Sequence, residues 1–468
     1  MEKIFNILLF VSLFCCTSCL KENKFSSSPE YDISLQKDTL EFDTVFTATG
    51  STTKSVNIYN TNNYGLHLEA RLAGGESSPF RMNIDGESGV VVQNLSIWAN
   101  DSITAFVSVT IDPQDKDMPF FVQDSILFTL ESGLCTKLHL TAYGQDAVIL
   151  RSVTFREDTV MTSKRPYIIF DSLCVDSNAV LTIEKGAGLY FHKNAFLKVN
   201  GTVHALGTAD SMIQFRSDRL DNIFSYLKYD ELSGEWSGIR IDTASFGNIF
   251  RSCNIHGAET GIYATEDSAS QNNGIKIYAK GTVIHNNSDY CVFLNNSSAV
   301  FENCQITNSG KYCYFADGAS QDITYCTIAN FYPFGQNNGA VLLNNADCSI
   351  QGSIITGRSS NELVFSNTDS VGHKQFVEKS LVMARDSANA MFYECRFENV
   401  KDETSQENNF KMIDYQKYSS DFELAPSSKA VSMVDTLYNP VDLKGRPRNI
   451  EFSCAGCYEY IPVREERF

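Results

Sequence analysis

The sequence predicts an all-β protein in two parts, an antiparallel β-sandwich followed by a parallel β-helix solenoid. Three observations carry that expectation. Phe and Tyr, at 32 and 21 residues, far outnumber the 10 Pro, a balance that suits strands. Between residues 31 and 146, short apolar–polar alternations are separated by turn clusters every ten or so residues. Beyond residue 147 a five-residue pattern recurs along the chain, the signature of stacked repeats.

Length and charge bound the rest. A chain of 468 residues suggests two or three domains. With 43% hydrophobic and 20% charged residues, a packed core is within reach and general disorder is not. Thirty-eight basic side chains against 56 acidic ones leave a net charge of −18. A surface that negative repels phosphate backbones, so nucleic acid is excluded as a partner.

The N-terminus sets an address. After Lys3, the apolar run Ile4 to Phe14 has 11 residues, whereas a membrane-spanning helix needs ~20. The run therefore reads as the core of a signal peptide covering residues 1–18. Cys15-Cys16-Thr17-Ser18-Cys19 resembles the lipobox of bacterial lipoproteins, with Cys16 where that family prefers Leu. The resemblance implies lipidation of Cys19, a membrane partner held through acyl chains and an outer-membrane location. The alternative is an ordinary secretory signal cut elsewhere. Lys21-Glu22 resembles the surface-export signal of Bacteroidetes lipoproteins, and residues 19–30 read as a tether. Asp followed by Ser or Thr and a small aliphatic residue or Met occurs 12 times, as at Asp101-Ser102-Ile103 and Asp124-Ser125-Ile126. The triplet resembles the O-glycosylation acceptor of exported Bacteroidetes proteins; the same residues also form turns before strands.

Residues 31–146 read as an immunoglobulin-like β-sandwich. The stretches 55–60, 66–72, 103–111, 125–130 and 137–143 alternate with period two, and Ala73 to Pro79 is a turn cluster. No chemistry is evident in this part.

Residues 147–420 read as the solenoid, with 421–468 as a C-terminal cap. Cys253-Asn-Ile-His-Gly257 aligns with segments starting at Thr282, Cys304, Cys326, Ser353, Ser380 and Cys395. The first column holds only Cys, Thr or Ser. The next holds Ile255, Ile284, Ile306, Ile328, Ile355, Val382 and Phe397, and the last Gly257, Asn286, Asn308, Asn330, Gly357, Ala384 and Asn399. Residues two apart on a strand share a face, so the first two columns point into one narrow interior. The third ends the strand at a bend, where Asn or Gly accepts a left-handed backbone. The final spacing, 15 residues, is too short for a full turn and predicts misregistration of Ser380 or Cys395.

Three further motifs resemble the right-handed parallel β-helix (pectin-lyase-like) proteins of Bacteroidetes. They are Gly201 to Thr208 before Ile213-Gln-Phe215; Gly234-Glu-Trp-Ser-Gly-Ile239; and Phe422 to Ser428 with Asp442-Leu-Lys-Gly-Arg446 and Cys457-Tyr-Glu-Tyr460. The resemblance spans about two-thirds of the chain, from about residue 148 to 462. It implies a fold and no particular activity, since that scaffold hosts lyases, hydrolases and proteins without known activity.

Signals of chemistry are sparse. Cys253, Cys304 and Cys326 share one inward column and read as small core residues, because in-register neighbours ~4.8 Å apart are poorly placed for bridging. Cys454-Ala-Gly-Cys457 is formally a C-x-x-C motif without a thioredoxin-like setting; it reads as a structural pair or two free thiols. The seven His show no metal-ligand spacing, and no cofactor is expected. His256 and His285 fall in one outward column of neighbouring rungs, as a joint ligand site or as solvated sheet residues. The polygalacturonase motifs occur only as Asn367-Thr-Asp369 and His256-Gly257, in reversed order. Lys276, Arg240 and Asp242 provide lyase-like residue types without a constellation. Tyr263, Phe293 and Phe315 form a column in the next strand of each rung, outward as a platform for sugar rings or inward as core. The expected function is therefore a cell-surface glycan-binding or adhesive protein. A polysaccharide lyase or glycoside hydrolase is the alternative, and a structural spacer the third reading.

Overall fold

The computed structural model describes residues 24–224, 227–266, 274–336, 338–369, 372–385, 387–402 and 404–462. The signal peptide and Cys19 lie outside the described residues. The chain divides into two compact units, Met1–Asp146 and Ala147–Phe468.

The first unit is the expected sandwich, two five-stranded sheets enclosing side chains such as Leu40, Ile58, Leu68, Phe80, Val107, Phe128 and Leu140. The five anticipated strands appear as Lys54–Asn60, Leu66–Leu72, Asp101–Val109, Phe120–Leu130 and Cys135–Gln145. Sequence pattern alone passes over Thr39–Phe46, Phe80–Ile84 and Val91–Ile97. In the last of these Asn94 adopts a left-handed backbone, and the register slips against Leu66–Leu72, so a bulge breaks the alternation. The expected tether is not slack throughout. Phe25 stacks on His67 with ring centroids 4.1 Å apart and bridges to Gly65, where a side chain would collide with its ring. Of the Asp-Ser triplets, Ser102 is exposed, whereas Ser125 is buried inside the strand Phe120–Leu130 and not in a turn before it.

The second unit is a parallel β-helix. Three parallel faces run its length. The first contains Cys253–His256, Val283–Asn287, Gln305–Ser309, Thr327–Asn330 and Ile354–Gly357; the second Thr260–Thr265, Tyr290–Asn295, Tyr314–Asp317, Val341–Asn344 and Leu363–Ser366. The third is a ten-stranded sheet, Thr159–Met161 through Phe392–Tyr393. At the start, Val148–Phe155 and Tyr167–Val175 each serve the first two faces in one bent strand. Left-handed residues Ser152 and Asp171 make the bends and hydrogen-bond each other at 3.2 Å.

The repeat columns hold in full register. Ile255, Ile284, Ile306, Ile328, Ile355, Val382 and Phe397 pair rung to rung, and the five Ile are fully buried. Cys253, Cys304 and Cys326 are buried free thiols. In the same column the hydroxyls of Thr282, Ser353 and Ser380 accept hydrogen bonds from the amides of Cys253, Cys326 and Ser353. The small-residue rule thus satisfies backbone donors at the bend, as buried donors require. In the third column Gly257, Asn286 and Asn308 are left-handed. Asn330 acts through its amide, which donates to the Ser309 carbonyl at 3.1 Å.

Two expectations need correcting. The 15-residue spacing is no misregistration: Leu381 and Val382 pair with Arg396 and Phe397. That rung is short because, among the described residues, it has no second-face strand after Leu363–Ser366. Nor is the C-terminal segment a simple cap. From about residue 405 it lies along the outside of the first face, with Phe410, Phe422, Leu424, Ala455 and Tyr458 packed on Tyr325, Ala329, Ile354 and Leu381. Tyr458 donates to Gln305 at 2.7 Å, and the Cys457 amide donates to Thr327 Oγ1 at 3.1 Å. The outward positions Gln305 and Thr327 are therefore buried.

Candidate functional site

The second face carries the aromatic column, and it points outward. Tyr263 pairs with Phe293 and Phe293 with Phe315. Their flanking neighbours Ile262, Ala264, Val292, Leu294, Tyr314 and Ala316 are buried, so pleating turns the three rings to the surface. Tyr263 remains 39% exposed and the two Phe are half-buried.

Ring orientation changes what this column can do. Tyr263 and Phe293 stack at 5.0 Å and 7°, Phe293 and Phe315 at 4.7 Å and 9°. Their faces are spent on one another along the solenoid axis, so what they present outward is a ridge of ring edges. The expected platform of open ring faces is thus corrected to an apolar ridge, prolonged by Leu342 and Val364 in the same register. Tyr290 packs at a steep angle against Phe293 and Phe315. Two residues along each strand, Thr265, Asn295, Asp317, Asn344 and Ser366 form a polar rail in register, with Asn344 donating to Asp317 at 2.9 Å.

The first face holds a second cluster, of which the sequence pattern shows only His256 and His285. Tyr190, Arg216, His256 and His285 line one outward column. The two imidazoles stack at 4.7 Å and 19°. Asp230, from the turn Tyr229–Glu231, sits 2.9 Å from Arg216 and 3.4 Å from His256. His285 Nε2 lies 3.1 Å from Asn254 Oδ1, and Asn286 donates to Glu231 at 3.1 Å. Burial first, then the neighbouring His285 and Arg216, hold His256 well below the usual imidazole range. Burial likewise lowers His285 to about 4. Burial and the adjacent Asp230 raise the Glu231 carboxyl. The pair is therefore brought together as the column predicts. His256 is only 3% exposed, whereas His285 keeps part of its surface, so the pair is a largely covered one rather than a fully solvated one.

The remaining candidates stay apart. Arg240 stacks over Phe196 at 4.6 Å. Lys276 is buried; its ammonium donates to the Thr243 carbonyl at 2.8 Å and is pulled down to about 8 by burial. Cys454 and Cys457 are free and buried, and burial pushes their thiols up, away from redox reactivity. Among the described residues no group of three or more His, Cys, Asp or Glu is placed to hold a metal ion.

No family model matches the chain, and no curated protein matches it. Among solved structures it is similar to the catalytic domain of a GH87 α-1,3-glucanase in complex with nigerose, at 10% identity and a TM-score of 0.16, over 75% of this chain and 87% of that one. It is also similar to a family 123 glycoside hydrolase from Clostridium perfringens, at 9% identity and a TM-score of 0.19; the match covers 26% of this chain and only 30% of the enzyme. A PapD-like domain of human CEP192 matches 28% of this chain over 94% of its own length, at 10% identity and a TM-score of 0.18. Similarity this low assigns neither activity nor substrate to the chain.

Proposed function

We propose that this chain is a glycan-binding surface protein that lays an extended polysaccharide along the second face of its β-helix. The observation that carries the reading is the pairing of an apolar ridge with a polar rail, repeated once per rung. Ridge residues Tyr263, Phe293, Phe315, Leu342 and Val364 run beside Thr265, Asn295, Asp317, Asn344 and Ser366. A polymer whose units alternate C–H surface and hydroxyls finds both partners at a spacing of ~4.8 Å. The first face is closed over its later rungs by the terminal segment, whereas the ridge and rail of the second stay at the surface.

Location belongs to the same proposal. Acylation of Cys19 would hold the protein at the outer membrane, facing outward, against release by salt. Cys19→Ala should yield a soluble or unprocessed species, and absence of a palmitate label on the wild type would defeat the anchor.

Glycan-array binding run beside a product assay tests function. Binding without products, weakened at least tenfold by Phe293→Ala, is the expected result. Shortened or unsaturated products would replace this reading with an enzyme, for which the cluster of Arg216, Asp230, His256 and His285 is the first place to look. Silence in both assays would favour a spacer.

A further inference from the structure

Away from the second face, a cleft of about 400 Å³ opens where the first face turns into the second. Its floor is Phe331, which is 2% exposed, and Pro333 forms one wall. Gly357 is required beside it, since a Cβ there would lie 2.6 Å from the Glu362 carboxylate and 2.7 Å from the Asn330 carbonyl. Tyr415, 37% exposed, reaches in from the terminal hairpin. Arg358, Gln406 and Glu407 complete the lining.

We infer that this cleft is a binding site for a single neutral pyranose unit, such as the end of a glycan chain. Its volume lies at the lower end of the range for small-molecule sites, enough for one or two sugar rings. The groups in it are those a sugar needs: the Tyr415 ring and Pro333 for the C–H face, guanidinium and amide donors, and amide and carboxylate acceptors for the hydroxyls. One cation and one anion cancel, so no net field selects a charged ligand. Tyr415 donates to Glu407 at 2.8 Å, which fixes the carboxylate. Arg358 donates to the Tyr332 carbonyl at 3.3 Å and lies 5.8 Å from the centre of the Tyr415 ring. Gln406 and Tyr418 are left-handed, at φ 56° and 54°, conformations that non-glycine residues hold only when their surroundings impose them.

The site rests on the glycan reading for its ligand class, but its test separates the two. The mature chain is titrated with methyl pyranosides of glucose, galactose and mannose, and with N-acetylglucosamine, by calorimetry and saturation-transfer NMR. One sugar should bind, with Kd raised about tenfold by Glu407→Gln through loss of charge-assisted hydrogen bonds, and at least as much by Tyr415→Ala. Phe293→Ala should leave that binding unchanged while weakening polymer binding. Should Tyr415→Ala fail to fold, Glu407→Gln alone decides. No sugar bound, binding indifferent to Glu407→Gln, or saturable binding of a zwitterionic dipeptide instead would each overturn the inference. Loss of polymer binding alone in Phe293→Ala leaves it standing.

Discussion

Replacing Glu362 by Gln should stabilise the protein at neutral pH and leave it unchanged in acid. Glu362 precedes the second-face strand Leu363–Ser366 and is 1% exposed. Its Oε1 accepts from the Ser359 amide, while Oε2 has no hydrogen-bond partner. Burial, reinforced by the nearby Glu398, raises the carboxyl from 4.5 to about 8. The folded protein therefore keeps a proton that the unfolded chain gives up above pH 4.5. For an acid raised on folding, stability is greatest below pH 4.5 and falls as pH climbs from 4.5 to 8. At about 1.4 kcal/mol per pH unit, the penalty reaches about 3 kcal/mol at pH 7.

Gln is a neutral isostere that keeps the oxygen facing Ser359. Its NH₂ would stand in place of the protonated oxygen that Glu362 keeps at neutral pH. Urea unfolding of the mature chain at pH 4.5, 6, 7 and 8, followed by circular dichroism, measures the difference between variant and wild type. Solenoids need not unfold in two states, so the pH trend of that difference is the readout. A gain that grows from near zero at pH 4.5 to about 3 kcal/mol at pH 7 is expected. A difference independent of pH, or a loss at pH 7, would refute the reasoning.

Two other outcomes follow from buried groups. Ile306→Asp places an unpaired charge in the fully buried Ile column and should abolish the cooperative melt of the second unit; an unchanged Tm would break the column assignment. The His pair gives a pH dependence of opposite sign to that of Glu362. Because His285 is lowered from 6.5 to about 4, the unfolded chain takes up the proton first, and stability is lost as pH falls from 6.5 toward 4, by at most about 3 kcal/mol. His285→Phe keeps a ring to stack on His256 and should make that acid limb shallower, with His256 keeping its own share; an acid limb as steep as the wild type's would refute it.

What the sequence made legible was whatever repeats locally. The column of Ile255 to Phe397 is readable because period two and a bend residue recur in every rung, even in the shortened last one. The outward direction of Tyr263, Phe293 and Phe315 follows from the same register. The tilt of their planes does not, because it is set by rotamers packed against the neighbouring rung. The cover over His256 was equally hidden: it comes from Asp230, 26 positions earlier in the chain and outside any repeat. Glu362 left a signal that went unread. Aligning the second strands puts it in one column with Gly261, Cys291, Cys313 and Ala340, where a carboxyl is the odd member.

The terminal segment decides which face of the solenoid is open. Arg448 is buried against Glu459 at 3.4 Å, donates to Asn303 at 2.9 Å and lies over Tyr325 at 3.9 Å. Glu423 gathers Lys411, Lys444 and Arg446, and Arg446 also pairs with Asp442. Buried ion pairs add little net stability over apolar packing, yet breaking one leaves an uncompensated charge. Such contacts therefore fix where the segment sits far more than how strongly it holds. Aligned along the Ile columns by Cys457 and Tyr458, the segment makes the later rungs of the first face an internal interface. The same hairpin that closes that face supplies Tyr415 to the cleft, so covering the first face and building the small site beside it are one structural event.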